Sequence, residues 1–268
     1  MIFDLAFFYY QKMFTTRDFL QLKNWTDYSI KHAKKVITIS QASKKDIIKF
    51  YQTDPEKISV AYPGYDPTLF KSITEQRKID EIKNKYGVVG PYILYTGTIQ
   101  PRKNLVRLIE AFKNIEGYKL VLAGKYSGAG RKAWMTEDVL SAPQKYGIED
   151  KVIFTNYTPR EDLPFLMSGA TAIVQVALYE GFGMPVVEAM ACGTPAIVSN
   201  ISSLPEAVGD AGLLVDPNSV TQIEQAIRTI TTDKKLQAKL AKKSLEQAKK
   251  FSWQKMAREV IKVLESTQ

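Results

Sequence analysis

Short apolar runs alternate with amphipathic stretches along most of the chain. The runs that predict strands lie at 34–40, 57–64, 92–97, 118–124, 151–156, 171–176 and 195–199, with a weaker one at 212–216. These runs are continuously apolar, which is typical of strands buried on both faces of a parallel sheet. The pattern therefore predicts an α/β fold in which helices cover both sides of a doubly wound parallel sheet.

Amphipathic helices are predicted between the strands and at the carboxyl end of the chain. In the stretch 104–115, apolar residues recur with the spacing of one helix face, at Leu105, Leu108, Ile109 and Phe112. Three more helices are predicted after the last strand, at about 219–231, 233–250 and 252–266.

A polar and charged segment, 67–90, divides the chain and is predicted to be a linker. Residues 1–66 supply two strands and two or three helices, which is too little for a complete α/β domain, so we expect a partial amino-terminal domain. Residues 91–250 carry the regular alternation and form the second domain. The last segment, 251–268, is a helix placed where it can return to the amino-terminal domain.

Composition narrows the class of protein. The chain has 268 residues, of which 45% are hydrophobic and 24% are charged, and no apolar run is long enough to span a membrane. A single cysteine, Cys192, excludes an internal disulfide and is typical of a reducing, cytoplasmic compartment. One histidine and no aspartate cluster give no indication of a metal site. The net charge of +9 favours partners with phosphates, although dispersed surface lysines also explain it.

The first stretch with candidate chemistry is "YTGTIQPRKNL", residues 95–105. A predicted strand ends at Gly97, and Arg102 and Lys103 precede a predicted helix that starts near Asn104. Two cations beside a helix N-terminus make a site for an anion, ideally a diphosphate. The alternative is that both are exposed loop residues.

The second stretch is "YEGFGMPVVEAMACGTPAIVS", residues 179–199. Gly181 and Gly183 allow backbone amides to approach a ligand closely, and the helix that follows begins around Pro185. Glu180 precedes this helix and Glu188 lies one turn inside it. A carboxylate accepts hydrogen bonds from two hydroxyls, so two carboxylates here indicate recognition of a sugar or ribose. The alternative is a capped helix with a buried glutamate; a third acid, Glu206, is expected to lie in solvent.

Several motifs together resemble the family 4 (group 1) retaining glycosyltransferases, which have the two-domain GT-B fold. "GTIQPRKNLVRLIEAF", "EGFGMPVVEAMACGTPAIVSNISSLPEAVGDAG" and "VDP" are similar to the carboxyl-terminal donor domain of that family, and the two glutamates fit its E-x7-E pattern. "KKVITISQASKKDI" and "KISVAYPGYDP" are similar to the end of its amino-terminal domain. Two departures stand out: we expect only the last part of that domain in this sequence, and Phe3 stands where many relatives have histidine.

The resemblance implies a role for each matching residue. Arg102 and Lys103 hold the diphosphate of the donor and, with Glu180 on the transferred sugar, form the catalytic set. Glu188 binds the ribose, and the loops after Gly124 and Asn156 approach the base. The implied donor-binding residues are Gly97, Thr98, Gly124, Tyr157, Gly181, Phe182, Gly183, Met184 and Glu188.

The implied reaction is transfer of a hexose of the mannose or glucose type, with retention, from a UDP or GDP sugar. The acceptor is a glycan or a lipid-linked sugar, and no metal or other cofactor is expected. The alternative is a truncated, inactive module that only binds nucleotide sugars. No nucleic-acid motif is present, so no nucleic-acid partner is expected. The basic surface and the aromatic start of the chain are compatible with peripheral contact at the inner face of the cytoplasmic membrane. The alternative, which the pattern favours, is that those aromatics are core residues.

Overall fold

The computed structural model of the chain describes residues 1–125 and 136–267. The strands are Val36–Thr38 (β1), Ile58–Val60 (β2), Tyr92–Thr96 (β3), Lys119–Ala123 (β4), Val152–Phe154 (β5), Ala172–Gln175 (β6), Ala196–Ser199 (β7) and Gly212–Val215 (β8). The helices are Ala6–Tyr9 (α1), Thr16–His32 (α2), Gln41–Tyr51 (α3), Gln76–Lys85 (α4), Leu105–Phe112 (α5), Glu137–Tyr146 (α6), Leu163–Gly169 (α7), Met184–Ala191 (α8), Leu204–Val208 (α9), Val220–Thr232 (α10), Lys234–Ala248 (α11) and Trp253–Glu265 (α12).

The larger part of the molecule, which we call the large unit, is built on a parallel sheet with the strand order β5-β4-β3-β6-β7-β8. Successive residues of β3 face opposite sides: Leu94 packs in one apolar cluster, whereas Ile93 and Tyr95 pack in the other. Both faces are therefore covered, which is why the strands read as continuous apolar runs. The predicted doubly wound α/β fold is confirmed, and each of the eight predicted strands contains an observed one.

The sheet changes direction of winding between β3 and β6, which are neighbours although they are far apart in sequence. In open α/β sheets the loops at the carboxyl ends of two such strands diverge and leave a crevice. The loops that leave β3 and β6 at this point are residues 97–104 and 176–183. These loops contain both sequence stretches with candidate chemistry.

The amino-terminal unit consists of α1, α2, α3 and the parallel pair β1 and β2. Ile2 forms a parallel bridge with Thr38 on the open side of β1. The apolar core of this unit is small and consists of Leu5, Phe7, Ile30, Val36, Ile47 and Ile58. Of the four aromatic residues at 7–10, Phe7 is part of the core and Tyr9 is 43% exposed.

Helix α12 contacts the amino-terminal part of the chain at both of its ends. Gly64 runs so close to the start of α12 that an added Cβ would lie 2.1 Å from the amide nitrogen of Trp253. At the other end of α12, the Lys34 ammonium donates a 2.7 Å hydrogen bond to the carbonyl of Thr267.

The expectation that Glu206 lies in solvent is wrong. Its carboxylate accepts hydrogen bonds from the backbone amides of Gln41 (2.8 Å) and Ala42 (2.7 Å) and from the Tyr62 hydroxyl (3.0 Å). The first turn of α3 leaves amides without a partner inside the helix, and a carboxylate is a favourable acceptor at that end of a helix. Glu206 therefore joins α9 of the large unit to α3 of the amino-terminal unit.

Candidate functional site

Arg102, Lys103 and Glu180 meet at the crevice between β3 and β6. The Arg102 guanidinium donates to the carbonyl of Tyr179 (3.0 Å) and to the Glu180 carboxylate (3.3 Å). The Lys103 ammonium donates to the other oxygen of the same carboxylate. One carboxylate is thus paired with two cations, and the charge of Asp4 also acts on the Lys103 ammonium.

The loop that carries the two cations is held rigidly. Residues Pro101–Lys103 form a turn of 3₁₀ helix, and Asn104 then takes a left-handed conformation (φ 62°) before α5 begins. The Asn104 side-chain amide donates to the carbonyls of Val176 (3.0 Å) and Pro217 (2.7 Å), which lie after β6 and β8. The amide side chain therefore ties this loop to two other strand ends and fixes where the cations lie.

Lys103 is a buried cation, with only 6% of its surface exposed. Burial lowers the pKa of its ammonium, and the neighbouring Glu180 opposes this shift. A cation removed from water in this way interacts with other charges much more strongly than an exposed lysine does. The expectation of an exposed basic loop therefore does not describe Lys103.

The segment from Gly181 to Met184 presents backbone amides at the start of α8. Gly183 has φ 101°, a conformation that favours glycine, and precedes the first helical residue. Within the described part of the chain, the amides of residues 181–184 donate no hydrogen bond. Amides in the first turn of a helix attract anions and oxygen acceptors.

Glu188 lies further along α8, away from the cluster of cations. Its side chain is 15% exposed, and the Arg160 guanidinium lies 3.9 Å from its carboxylate. Burial raises the pKa of Glu188 to about 7, and Arg160 only partly opposes this rise. Near neutral pH this carboxyl therefore exists in both protonated and ionised forms.

The remaining predicted residues have different surroundings. Gly97 and Gly124 lie at the ends of neighbouring strands, and Thr98 is exposed beside them. Tyr157 follows β5 and is 68% exposed. The loop after Gly124, which was expected to approach the base, lies largely outside the described residues.

Several residues that support the site were not predicted. The Ser202 and Ser203 hydroxyls donate to the carbonyl of Glu180, at 2.5 and 2.8 Å, and fix its backbone. Asp4 lies over Gly181, where an added Cβ would come within 3.0 Å of it. The position of the two serines after a predicted strand was a usable signal, because strand ends share one edge of a parallel sheet.

Replacing Gly124 with alanine is expected to lower the free energy of unfolding by about 2 kcal/mol. The added Cβ would lie 1.8 Å from the carbonyl oxygen of Gly97, so the two strand ends must separate. Denaturant unfolding measures the effect. Gly117→Ala is the control, because a Cβ added at that glycine meets nothing within 4 Å. Alanine in the left-handed backbone conformation of Gly117 should lower the free energy of unfolding by only about 1 kcal/mol. Equal losses in the two variants would contradict this explanation.

No group of three or more potential metal ligands from His, Cys, Asp and Glu occurs in residues 1–125 and 136–267. Over the same residues, none of the helices combines the length and the apolar character needed to cross a bilayer.

The chain is similar in sequence to known glycosyltransferases. The chain is 33% identical over 239 residues to O-antigen chain mannosyltransferase B of Escherichia coli, covering 87% of this chain and 61% of that protein. It is 31% identical over 229 residues to O-antigen chain mannosyltransferase RfbU of Salmonella typhimurium, covering 85% and 59%. The chain thus spans about 60% of the length of these relatives.

Solved structures share the fold. A crystal structure of Anabaena Alr3699/HepE in complex with UDP and glucose superposes with a TM-score of 0.82 at 23% identity, covering 94% of this chain and 68% of that one. A sucrose-phosphate synthase from Thermosynechococcus elongatus gives 0.79 at 24%, covering 90% and 60%. Residues 74–247 match the family model described as Glycosyl transferases group 1. The chain therefore belongs to the group 1 glycosyltransferase family and has its GT-B fold.

Proposed function

We propose that the crevice between β3 and β6 binds a nucleotide-diphosphate sugar and that the protein transfers its hexose to a glycan or lipid-linked acceptor. The observation that carries this proposal is the convergence of Arg102, Lys103 and Glu180 from two loops at one strand-order reversal. Two cations match the two phosphates of a donor, and a carboxylate beside them matches the hydroxyls of its sugar.

Each residue then has one role. Arg102 and Lys103 bind the diphosphate, and Glu180 exchanges part of its ion pairing for hydroxyls of the sugar. The free amides of residues 181–184 bind the remaining phosphate and sugar oxygens. Glu188 accepts hydrogen bonds from the ribose hydroxyls, and Arg160 stays beside it.

In the transfer step, the bond from the anomeric carbon to the diphosphate oxygen breaks and an acceptor hydroxyl oxygen bonds to that carbon. The acceptor proton leaves with the diphosphate, so charge balances. Negative charge grows on the departing diphosphate. The buried Lys103 ammonium, the Arg102 guanidinium and the N-terminus of α8 stabilise this charge. These groups supply the positive charge that the leaving group needs, and we propose that transfer needs no metal ion and retains the anomeric configuration.

The experiment that tests the function is a transfer assay with GDP-mannose and UDP-glucose as donors and mannose-terminated oligosaccharides as acceptors. Mannose is the first choice because the two named relatives are mannosyltransferases. We expect a new glycosidic bond, with retained configuration by proton NMR and an undiminished rate in the presence of a chelator. Donor binding without any transfer favours the alternative, an inactive nucleotide-sugar-binding module; neither binding nor transfer contradicts the proposal.

We propose further that the carboxyl-terminal helices contact an anionic membrane surface. Between Lys234 and Lys262 the chain carries ten lysines or arginines and only two acidic residues. On α12, the apolar side chains of Trp253, Ile261 and Leu264 are each about half exposed. A basic surface with exposed apolar side chains is typical of helices that lie in a membrane interface.

Replacing both Trp253 and Ile261 with alanine is expected to reduce binding to vesicles that contain phosphatidylglycerol by about tenfold, from the lost burial of apolar surface. Co-sedimentation measures it, and salt should weaken the wild-type binding. Trp25→Ala is the matched control, because Trp25 is 64% exposed on another helix. Equal binding to vesicles of neutral phosphatidylcholine would contradict the contact.

A further inference from the structure

A buried hydrogen bond joins Asp46 of α3 to Tyr179 of the large unit. Asp46 is 9% exposed and Tyr179 is 6% exposed. The Tyr179 hydroxyl donates to one oxygen of the Asp46 carboxylate at 2.7 Å, and the other oxygen accepts from the Tyr9 hydroxyl at 2.6 Å. Hydrogen bonds to a carboxylate are stronger than those between neutral groups. This contact therefore links the amino-terminal unit firmly to the loop that follows β6.

The direction of this hydrogen bond is fixed by its surroundings. The backbone amide of Leu5 donates to the Tyr179 oxygen at 3.3 Å, so the hydroxyl proton is directed to the carboxylate of Asp46. Burial and the hydrogen bond to Asp46 raise the pKa of the Tyr179 hydroxyl. Tyr179 therefore keeps its proton near neutral pH and acts as a donor to Asp46.

Tyr179 immediately precedes Glu180, so the hydrogen bond acts on the proposed site through the backbone. The carbonyl of Tyr179 accepts from the Arg102 guanidinium at 3.0 Å, and the same guanidinium donates to the Glu180 carboxylate. The backbone of Glu180 is also held by the Ser202 hydroxyl, which accepts from its amide and donates to its carbonyl. A displacement of Tyr179 would therefore move both Arg102 and Glu180.

Helix α3 is itself held in place, which gives Asp46 a fixed position. At the N-terminus of the helix, the Glu206 carboxylate accepts hydrogen bonds from the amides of its first two residues. Towards the amino-terminal unit, the Lys44 ammonium donates to the carbonyl of Ile58 at 2.7 Å. The helix is therefore attached to both units, and the position of Asp46 determines where the Tyr179 hydroxyl lies.

We propose that Asp46 and Tyr179 are positioning residues for sugar transfer, because their hydrogen bond holds Glu180 and Arg102 in the geometry that the reaction needs. The inference rests on the proposed function, which places Glu180 and Arg102 on the donor. Transfer depends steeply on such placement, since a misplacement of about 1 Å lowers a rate by about a hundredfold. The loss should appear in turnover more than in donor affinity, because Lys103 and the amides of residues 181–184 still bind the donor.

The two tyrosines that donate to Asp46 provide a matched pair of variants. Tyr179→Phe and Tyr9→Phe each remove one hydroxyl from the carboxylate, but only Tyr179 is joined to Glu180. Turnover is measured with GDP-mannose or UDP-glucose, whichever the wild type transfers, together with calorimetric donor affinity and the thermal midpoint. Tyr179→Phe should lower turnover by about tenfold and donor affinity by less than about threefold, whereas Tyr9→Phe should keep turnover within about twofold of wild type.

Two substitutions of Asp46 test the same hydrogen bond from its acceptor side. Asp46→Ala removes the acceptor, so turnover should fall as in Tyr179→Phe, and combining the two substitutions should lower it no further. Asp46→Asn keeps an oxygen that accepts from Tyr179 and presents its amide group to the oxygen of Tyr9. Its turnover should therefore stay within about threefold of wild type.

Three outcomes would contradict the positioning role. Equal losses of turnover in Tyr179→Phe and Tyr9→Phe would overturn it, and so would losses that follow the thermal midpoint across all the variants. Full turnover in Tyr179→Phe, beside a wild type that transfers sugar, would overturn this inference alone. If the wild type transfers no sugar from either donor, the proposed function fails and this inference fails with it.

Discussion

Replacing Lys103 with alanine is expected to lower the turnover of sugar transfer by about 10²- to 10³-fold. Lys103 is a buried cation beside the position proposed for the departing diphosphate, and low solvent exposure makes its field strong there. Its contribution should grow as negative charge develops on the leaving group. Turnover should therefore fall more than donor affinity does.

The control must separate this effect from loss of folding. Lys103→Ala leaves the buried carboxylate of Glu180 with Arg102 alone, which destabilises the crevice. The thermal midpoint of the Lys103→Ala protein, measured beside its turnover, reports this loss of stability separately from the loss of transfer. Lys113→Ala, at an exposed position on the same unit, should change neither quantity. Turnover within about threefold of wild type in a folded Lys103→Ala protein would contradict the assignment.

Replacing Glu188 with alanine is expected to weaken nucleotide-sugar binding by about a hundredfold. A carboxylate that accepts two ribose hydroxyls loses charged hydrogen bonds, each contributing about 1.5–3 kcal/mol before the cost of freeing the carboxylate from its surroundings. Calorimetric titration measures the change. Glu161→Ala is the control, because Glu161 is an exposed carboxylate close to Arg160 in sequence. Unchanged affinity in Glu188→Ala would show that the ribose lies elsewhere.

The raised pKa of Glu188 gives this binding a pH dependence. Only the ionised carboxylate accepts two hydroxyls, and with a pKa of about 7 its ionised fraction rises about tenfold between pH 6 and pH 8. Affinity for GDP-mannose should rise by about the same factor, and Glu188→Gln should remove the dependence. A nucleotide sugar is the right ligand, because its diphosphate, unlike that of free UDP or GDP, has no group that titrates near neutral pH.

The free energy of unfolding should also depend on pH through Glu188. It should fall as pH rises, whereas the affinity for the donor rises. In the folded protein the pKa of Glu188 is raised above its ordinary value of 4.5, so the contribution of the protonated carboxyl to the free energy of unfolding is fully present below about pH 4.5. This contribution is lost as pH rises towards about 7, because Glu188 ionises at a lower pH in the unfolded chain than in the folded protein. Unfolding experiments on wild type and Glu188→Gln across this window should show the slope in wild type only.

The fold could be predicted from the sequence because burial leaves a strong local signature. The central strands β3, β4, β6 and β7 are buried almost throughout and appear in the sequence as short apolar runs between polar segments, whereas the edge strand β8 is partly exposed at Leu214 and has a weaker run. The observed strands are slightly shorter than the predicted runs, because the terminal residues of each run belong to the loops.

The site was only partly predictable. The sequence predicts Arg102, Lys103 and Glu180 as site residues because they follow strands whose ends share one edge of the sheet. Their pairing depends on the strand order, which no local pattern encodes. The same limit applies to Glu206, whose partner amides at Gln41 and Ala42 are more than 160 residues away in sequence. From the sequence alone, a glutamate outside the predicted helices and strands is expected to lie in solvent, because the sequence does not show that a helix N-terminus packs against it.

Calorimetric titration of the full chain with GDP-mannose and UDP-glucose tests the central claim most directly. We expect one binding site with micromolar affinity for one of the two donors, and this binding should be weakened in Lys103→Ala and Glu188→Ala and unchanged in Lys113→Ala. Absence of binding by both donors, or binding that is unaffected by the first two substitutions, would contradict a donor site at the crevice between β3 and β6.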